Sequence, residues 1–286
     1  MKHLTKLALL VVTIFLVSNV AYAGLPLNNL EGVGGVAFNP LAYPAEGDSL
    51  YSIGDTEIVS KPRFGTWYTD LTQPKIDWGS IGAATTFFKR IEVSEGFQDI
   101  AWKAFPNPGA DFHKNNIGVK IVVLPENSFN TSFLPEISVG TIYKSTSDKV
   151  VHEVVGFPFR GSGEDWYAVA TKTITQLPLP VVLSGGVLSS QEVATGVLGF
   201  VSQRRETAFG NIDVVLPHGF AVGYEAKQGE EYDHLSNANY WDVHVAWLAN
   251  KSLTVVLAYA DTGKYSLSNT KVGLGSGPVL SAQYSF

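Results

Sequence analysis

Apolar and polar side chains alternate at period two along most of this chain, in runs of about 8–11 residues bounded by Gly, Pro and Asn. The clearest run ends the sequence. Pro278, Leu280, Ala282, Tyr284 and Phe286 share one face, and Ser281, Gln283 and Ser285 share the other with Val279. Trp241, Val243, Val245 and Trp247 alternate with Asp242, His244 and Ala246, and Phe220, Val222, Tyr224 and Ala226 alternate with Ala221, Gly223, Glu225 and Lys227. Sustained helical periodicity is missing. The pattern predicts twelve strands, at 62–69, 79–87, 90–97, 116–124, 134–144, 166–176, 180–188, 207–215, 219–227, 241–248, 252–260 and 278–286. Residues 196–203 are also strand-like and would spoil the even count.

Connection lengths separate two all-β architectures. Long connections at 70–78, 98–115, 145–165, 189–206, 228–240 and 261–277 alternate with short ones at 88–89, 177–179, 216–218 and 249–251, and 125–133 is intermediate. Tight turns at one end and long loops at the other characterise an antiparallel up-and-down transmembrane β-barrel. A soluble periplasmic β-sandwich that binds a small ligand is the alternative, because sandwich strands alternate too. Trp67, Tyr68, Trp78, Trp166, Tyr167, Tyr240, Trp241, Trp247 and Tyr259 fall at or near strand ends, where interfacial girdles place amphipathic rings. The terminal Phe286, with Tyr284 two before it, resembles the C-terminal signal that barrel-assembly machinery reads.

Residues 1–23 break the pattern. Lys2 and Lys6 precede an apolar run from Leu7 to Val17, and Ala21-Tyr22-Ala23 forms a small-residue cleavage site. These are the parts of a cleaved secretory signal peptide. Its removal takes the net charge from −6 to −8. The expected organisation is a signal peptide at 1–23, a Gly/Pro-rich segment at 24–61 and a barrel at 62–286. The segment is either a flexible lead or extra strand, or it folds into the barrel mouth and narrows it. The expected location is the outer membrane of a Gram-negative bacterium, with outer-membrane lipid and the assembly machinery as partners.

Composition removes several chemistries. Without Cys there is no disulfide framework, thiolate metal site or Cys nucleophile. An acidic balance argues against nucleic acid. Gly32-Val33-Gly34-Gly35 is no phosphate loop, since Phe38-Asn39-Pro40 follows where a helix must start. No cofactor motif is present. His113, His152 and His234 fall in expected loops and His218 in a turn. His244, with Asp242 two residues before it, is expected on an inward face. No Ser can be placed beside it as the nucleophile of a barrel lipase, so no enzyme is expected.

Alternation turns Arg90, Glu92, Lys120, Glu136, Lys144, Lys172, Asp213, Glu225, Lys227, Asp242 and His244 toward the lumen. Inward charges must pair or be hydrated, because burying one alone costs several kcal/mol. They would either pair into a solid plug or line water. Twelve strands lie between barrels that side chains fill and those with an open channel, so a narrow or gated lumen is expected.

Several stretches, taken in order, resemble an uncharacterised family of exported barrel-type proteins, the domain of unknown function 3034. They are Leu30-Glu31-Gly32-Val33-Gly34-Gly35-Val36-Ala37-Phe38-Asn39-Pro40, Gly118-Val119-Lys120, Leu134 to Gly140 with Tyr143-Lys144, Ala170-Thr171-Lys172, Gly223-Tyr224-Glu225, Tyr240 to Val243, Asn250-Lys251 and Ala258-Tyr259. Over Tyr224 to Tyr259 the sequence also resembles barrel proteins of exopolysaccharide secretion loci, departing from them where Gly229 replaces a Pro. These resemblances imply fold and location, not an activity. The expected function is a narrow channel for small solutes or an accessory to envelope-polymer export, the solute or polysaccharide being unspecified. The alternatives are a structural or adhesive barrel with a closed lumen, whose loops at 98–115, 145–165 and 261–277 bind a partner, or the soluble sandwich.

Overall fold

A computed structural model describes residues 27–73, 75–103, 111–146, 160–268 and 270–286. The expected signal peptide and His152 lie outside the described residues. Twelve strands form the wall: β1 Arg63–Leu71, β2 Ile76–Phe87, β3 Ile91–Trp102, β4 Asp111–Leu124, β5 Glu136–Thr146, β6 Ser162–Ile174, β7 Val181–Glu192, β8 Phe200–Leu216, β9 Phe220–Lys227, β10 Tyr240–Leu248, β11 Leu253–Asp261 and β12 Ser276–Ser285. Each pairs antiparallel with the next in sequence. β12 then pairs with β1, from Val279↔Thr69 to Ser285↔Arg63. That pairing closes one sheet on itself and removes its edges. A sandwich would divide the strands between two sheets, so the sandwich expectation is overturned.

The wall is inside-out relative to a protein with an apolar core. Leu257 is 60% exposed and Leu280 50%, whereas Lys114 and Lys120 are 0% exposed. The exposed band continues through Ile81, Val93, Ile117, Val139, Leu183, Val187, Ile212, Val243 and Val245. Period two forces this sorting, since successive side chains leave opposite faces of a strand. An outward band of this kind suits hydrocarbon rather than water.

Both chain ends of the wall, Arg63 and Phe286, lie at one end of the barrel, called here the terminal end. Its turns are the short ones, at 88–90, 175–180, 217–219 and 249–252, with a longer one at 125–135. The opposite, far end carries 193–199, 228–239 and 262–275. Strands run further toward the far end than alternation indicates. β3 reaches Trp102, β4 begins at Asp111, β6 at Ser162, and β7 extends to Glu192. Only four residues, 72–75, connect β1 to β2. Beyond the apolar band outward positions need not be apolar, so pairing continues after its sequence signal has faded. Residues 200–203 belong to β8, and the strand count stays even.

Four of the aromatics expected in an interfacial girdle point inward instead. Trp67, Trp78, Tyr167 and Tyr240 are buried, while Tyr68, Trp166, Trp247 and Tyr259 are exposed. Proximity to a strand end fixes depth but not face. Tyr284 and Phe286 lie outside the barrel in edge-to-face contact, with ring centroids 4.7 Å apart.

Candidate channel and its plug

Residues 27–47 lie inside the barrel. Most of this segment is buried, including Leu27, Asn28, Asn29, Val33, Val36, Ala37, Asn39, Leu41, Ala42 and Ala45. Leu27–Asn28 pairs with Gly34–Gly35 as a two-residue hairpin. Asn29 Oδ1 accepts from the backbone N–H groups of Glu31 and Val33 at 2.9 and 3.0 Å, the local bonding that suits Asn to turns. Gly32, at φ +86°, lies against the Glu95–Gly96 backbone and Gly82 of the wall, where a Cβ would collide with the Glu95 carbonyl. A residue with positive φ and no side chain is needed there. Part of the 24–61 segment, residues 27–47, enters the lumen. Beyond it, strands at Ser49–Ile53 and Thr56–Ser60 form an outlying hairpin at the terminal end.

Polar bonds hold the plug to the wall. Glu225 on β9 accepts N–H bonds from Ala37, Phe38 and Asn39 at 2.8, 2.9 and 3.1 Å. Glu92 on β3 accepts from Gly34 at 2.8 Å and Ala45 at 2.6 Å. Lys120 on β4 donates to Glu92 at 3.1 Å and to the carbonyls of Gly34 and Tyr43 at 2.8 and 3.0 Å. Trp67 Nε1 and Gln283 Nε2 donate to the Asn28 carbonyl at 2.7 and 3.1 Å. Ser138 donates to the Ala42 carbonyl at 2.6 Å, and Gln98 to that of Leu30 at 2.7 Å. Backbone amides thus satisfy two buried carboxylates that would otherwise carry a desolvation cost.

Toward the far end the plug supplies a charge. Glu31 Oε1 lies 2.8 Å from Lys114 Nζ and 2.6 Å from Lys144 Nζ. Lys144 also meets Asp165 at 2.5 Å and Glu192 at 2.7 Å. Lys227 pairs with Glu192, and with Glu230 at 3.3 Å. Near the terminal end, His244 sits between Asp242 and Asp213, Nδ1 2.7 Å from the first and Nε2 2.8 Å from the second. With both ring nitrogens engaged by carboxylates, the imidazole has no nitrogen left to activate a hydroxyl.

Of the expected lumen residues, Glu92, Lys120, Lys144, Asp213, Glu225, Lys227, Asp242 and His244 are buried inside the barrel. Glu136 is half-buried at the terminal rim, where it accepts from the Glu126 N–H at 3.4 Å. Two placements are corrected. Arg90 lies exposed in the turn between β2 and β3, because β3 begins one residue later than expected. Lys172 is on the outward face of β6 and reaches Glu126 at 2.9 Å and Asn127 at 2.6 Å. On β6 both faces carry apolar residues, and the buried set Asp165, Tyr167, Val169, Thr171 fixes the opposite phase. His113 lies on the outside of β4, its ring stacked on Phe97 at 5.8 Å. His218 and His234 are exposed. Glu31, Lys114, Asp165, Glu192 and Glu230 were missed, because they fall in segments that read as loop or lead.

The far end is closed by different means. Val193, Ala194, Val197 and Leu198 of the 193–199 loop pack with Tyr232, Leu235, Val272 and Leu274 onto Leu71, Ile76, Trp78, Ile100, Trp102 and Phe112 of the wall. Tyr232 OH and Asn237 Nδ2 donate to the Glu192 carbonyl at 2.9 and 3.0 Å. Between cap and plug, a small cavity is lined by Leu30, Glu31, Phe38, Trp78, Gln98, Thr195 and Lys227.

A family model described as "Protein of unknown function (DUF3034)" matches residues 26–276. The chain belongs to that family. The DUF3034 match takes in the plug as well as the wall. No curated protein matches the sequence. Among solved structures, the chain is similar to the KdgM porin at 13% identity and TM-score 0.50, over 80% of this chain and 99% of that one. A NanC porin structure is similar at 9% identity and TM-score 0.47, over 79% of this chain and 99% of that one. The KdgM likeness supports the fold alone, a porin-like β-barrel.

Proposed function

We propose that this DUF3034 protein is an outer-membrane channel for small solutes, held shut by its own N-terminal segment and its far-end loops, with no enzymatic role. The observation that carries this is the filling of the lumen. In a closed structural barrel the wall's own side chains fill the interior. Here the wall leaves room for some twenty residues, and a separate stretch of chain that precedes the wall occupies it through polar bonds. Water and solute can replace such bonds, whereas they cannot replace apolar packing without loss. The terminal end then faces the periplasm, the far end faces outward, and the band between them meets lipid. Tyr284 on the last strand and Phe286 just after it are the residues that assembly machinery would read. Export of an envelope polymer is the accessory role raised by the sequence. It would need the same plug withdrawn.

Planar-bilayer recording tests the channel. The full chain is expected to be nearly silent, and a variant lacking residues 27–47 and 194–198 together to show steady unitary currents. Compact migration on unboiled gels establishes that the variant is folded. A folded variant that lacks 27–47 and 194–198 together, and still passes no current, would overturn the channel.

A further inference from the structure

The place taken by Glu31 has the makings of an anion site. Its Oε1 oxygen receives two ammonium groups, Lys114 Nζ at 2.8 Å and Lys144 Nζ at 2.6 Å, both from fully buried side chains. Asn116 lies between them, two residues from Lys114 on the same face of β4 and opposite Lys144 on β5. Its side chain is 0% exposed, and neither amide atom has a hydrogen-bond partner among the described residues. A buried amide left unbonded loses its bonds to water and gains none in return. The plug therefore satisfies the two lysines and leaves a donor beside them unused. Lys144 has Asp165 and Glu192 as further partners, and Lys227 has Glu192 and Glu230. Among the described residues, Lys114 has the Thr195 carbonyl besides Glu31. When the plug withdraws, Lys114 loses its carboxylate.

We infer that Lys114, Asn116 and Lys144 form a seat for the carboxylate of a small organic acid, which Glu31 occupies while the channel is shut. Glu31 is then an internal competitor, and an acidic solute that reaches the lumen displaces it. A carboxylate is favoured over a neutral solute because two ammonium groups and an amide N–H all donate. Asp165, Glu192 and Glu230 nearby hold the cluster near neutrality, so the seat takes one carboxylate at a time rather than a dense polyanion. This inference rests on the channel proposed above, but its first test does not depend on conductance.

Calorimetry with succinate and the detergent-solubilised variant lacking 27–47 reads the seat directly. Binding is expected there, at least tenfold weaker after Lys114→Gln or Asn116→Asp, and at least tenfold weaker in the full chain, where Glu31 competes. Glu31→Gln in the full chain is expected to recover part of that loss. Glucose serves as the neutral control. Compact migration before boiling checks that each variant is folded. Absence of succinate binding to the folded plug-less barrel, equal binding of glucose, or indifference to both substitutions would each overturn the seat while leaving the channel standing. Succinate binding, with no current even from the folded variant that lacks 27–47 and 194–198 together, would leave the seat standing and overturn the channel. In a conducting variant, Lys114→Gln is expected to shift the reversal potential in a KCl gradient toward cation preference, and an unchanged potential would count against the seat.

Discussion

The lumen is closed twice, and the two closures are built from opposite materials. The plug at 27–47 is held by backbone amides on Glu92 and Glu225, by carbonyls on Lys120, and by Glu31 between two lysines. The cap at the far end is held by Leu198, Val197, Tyr232 and Leu274 against Trp78, Trp102 and Phe112. Apolar packing is non-directional and gains roughly in proportion to area, so the cap tolerates sliding. Charge-assisted bonds demand geometry, so the plug has one register. They also exchange with water at modest net cost once the group is hydrated again. A closure that must be firm but reversible is better made from the second material. The chain uses it for the segment that precedes the wall, and uses apolar contact for loops between wall strands.

Lys144→Met is expected to have the largest effect. It leaves Glu31, Asp165 and Glu192 without the ammonium they share, and breaking a buried pair by removing one partner costs about 3–5 kcal/mol. Guanidinium unfolding of the lipid-reconstituted barrel, followed by Trp fluorescence, should show that loss. Lys144→Arg should recover part of it. A loss below about 1 kcal/mol would mean the cluster is hydrated and the plug is not electrostatically held.

Leu198→Ala comes next, at about 2–5 kcal/mol for a fully buried leucine. The damage should stay in the cap. Proteolysis at the 193–199 loop should quicken, while protease protection of 27–47 remains unchanged. Loss of plug protection as well would show that the closures are coupled and that the contrast between them fails.

Glu225→Gln should have a smaller effect, about 1–3 kcal/mol, because the amide oxygen still accepts from the plug but its NH₂ and missing charge weaken three N–H bonds. Its distinguishing result is selectivity for the plug. Protease nicking of 27–47 should quicken while the cap's protease resistance is unaltered. Equal loosening of both ends would favour a general loss of wall stability instead.

How far the sequence showed this contrast depends on what each closure does to local pattern. The wall was legible because alternation extends over whole strands, and inward charges on well-phased strands such as Glu225, Lys227, Asp242 and His244 followed from it. Lys172 went wrong where both faces of β6 are partly apolar, so phase had no anchor. Lys114, Asp165 and Glu192 sit on strand ends beyond the apolar band, where the outward face no longer alternates. The plug has no period at all. Its signal was steric: Gly32 and Gly34 answer wall glycines and carboxylates that lie far away in sequence. A twelve-stranded lumen needing something to fill it was the clue available. The cap's valines and leucines read as loop, because their partners come from three separate connections.

The smallest expected effect concerns Glu230, which belongs to the cap yet carries a charge. It lies in the 228–239 connection, buried, accepting from Asn237 Nδ2 at 2.8 Å and 3.3 Å from Lys227. Burial pushes its carboxyl above the ordinary 4.5, with Lys227 and Asn237 pulling it back and Glu192 adding to the rise. A carboxyl whose pKa folding raises is favoured as the neutral acid. Its contribution to closure is therefore complete below about pH 4.5 and is lost as pH rises through the elevated value. Protease nicking of the cap should slow as pH falls from 7 toward 4.5, and Glu230→Gln should flatten that part of the profile. The plug's protection should not follow the same curve. If it does, Glu230 is reporting through Lys227 and Glu192 to Glu31, and the apolar and polar closures act as one gate.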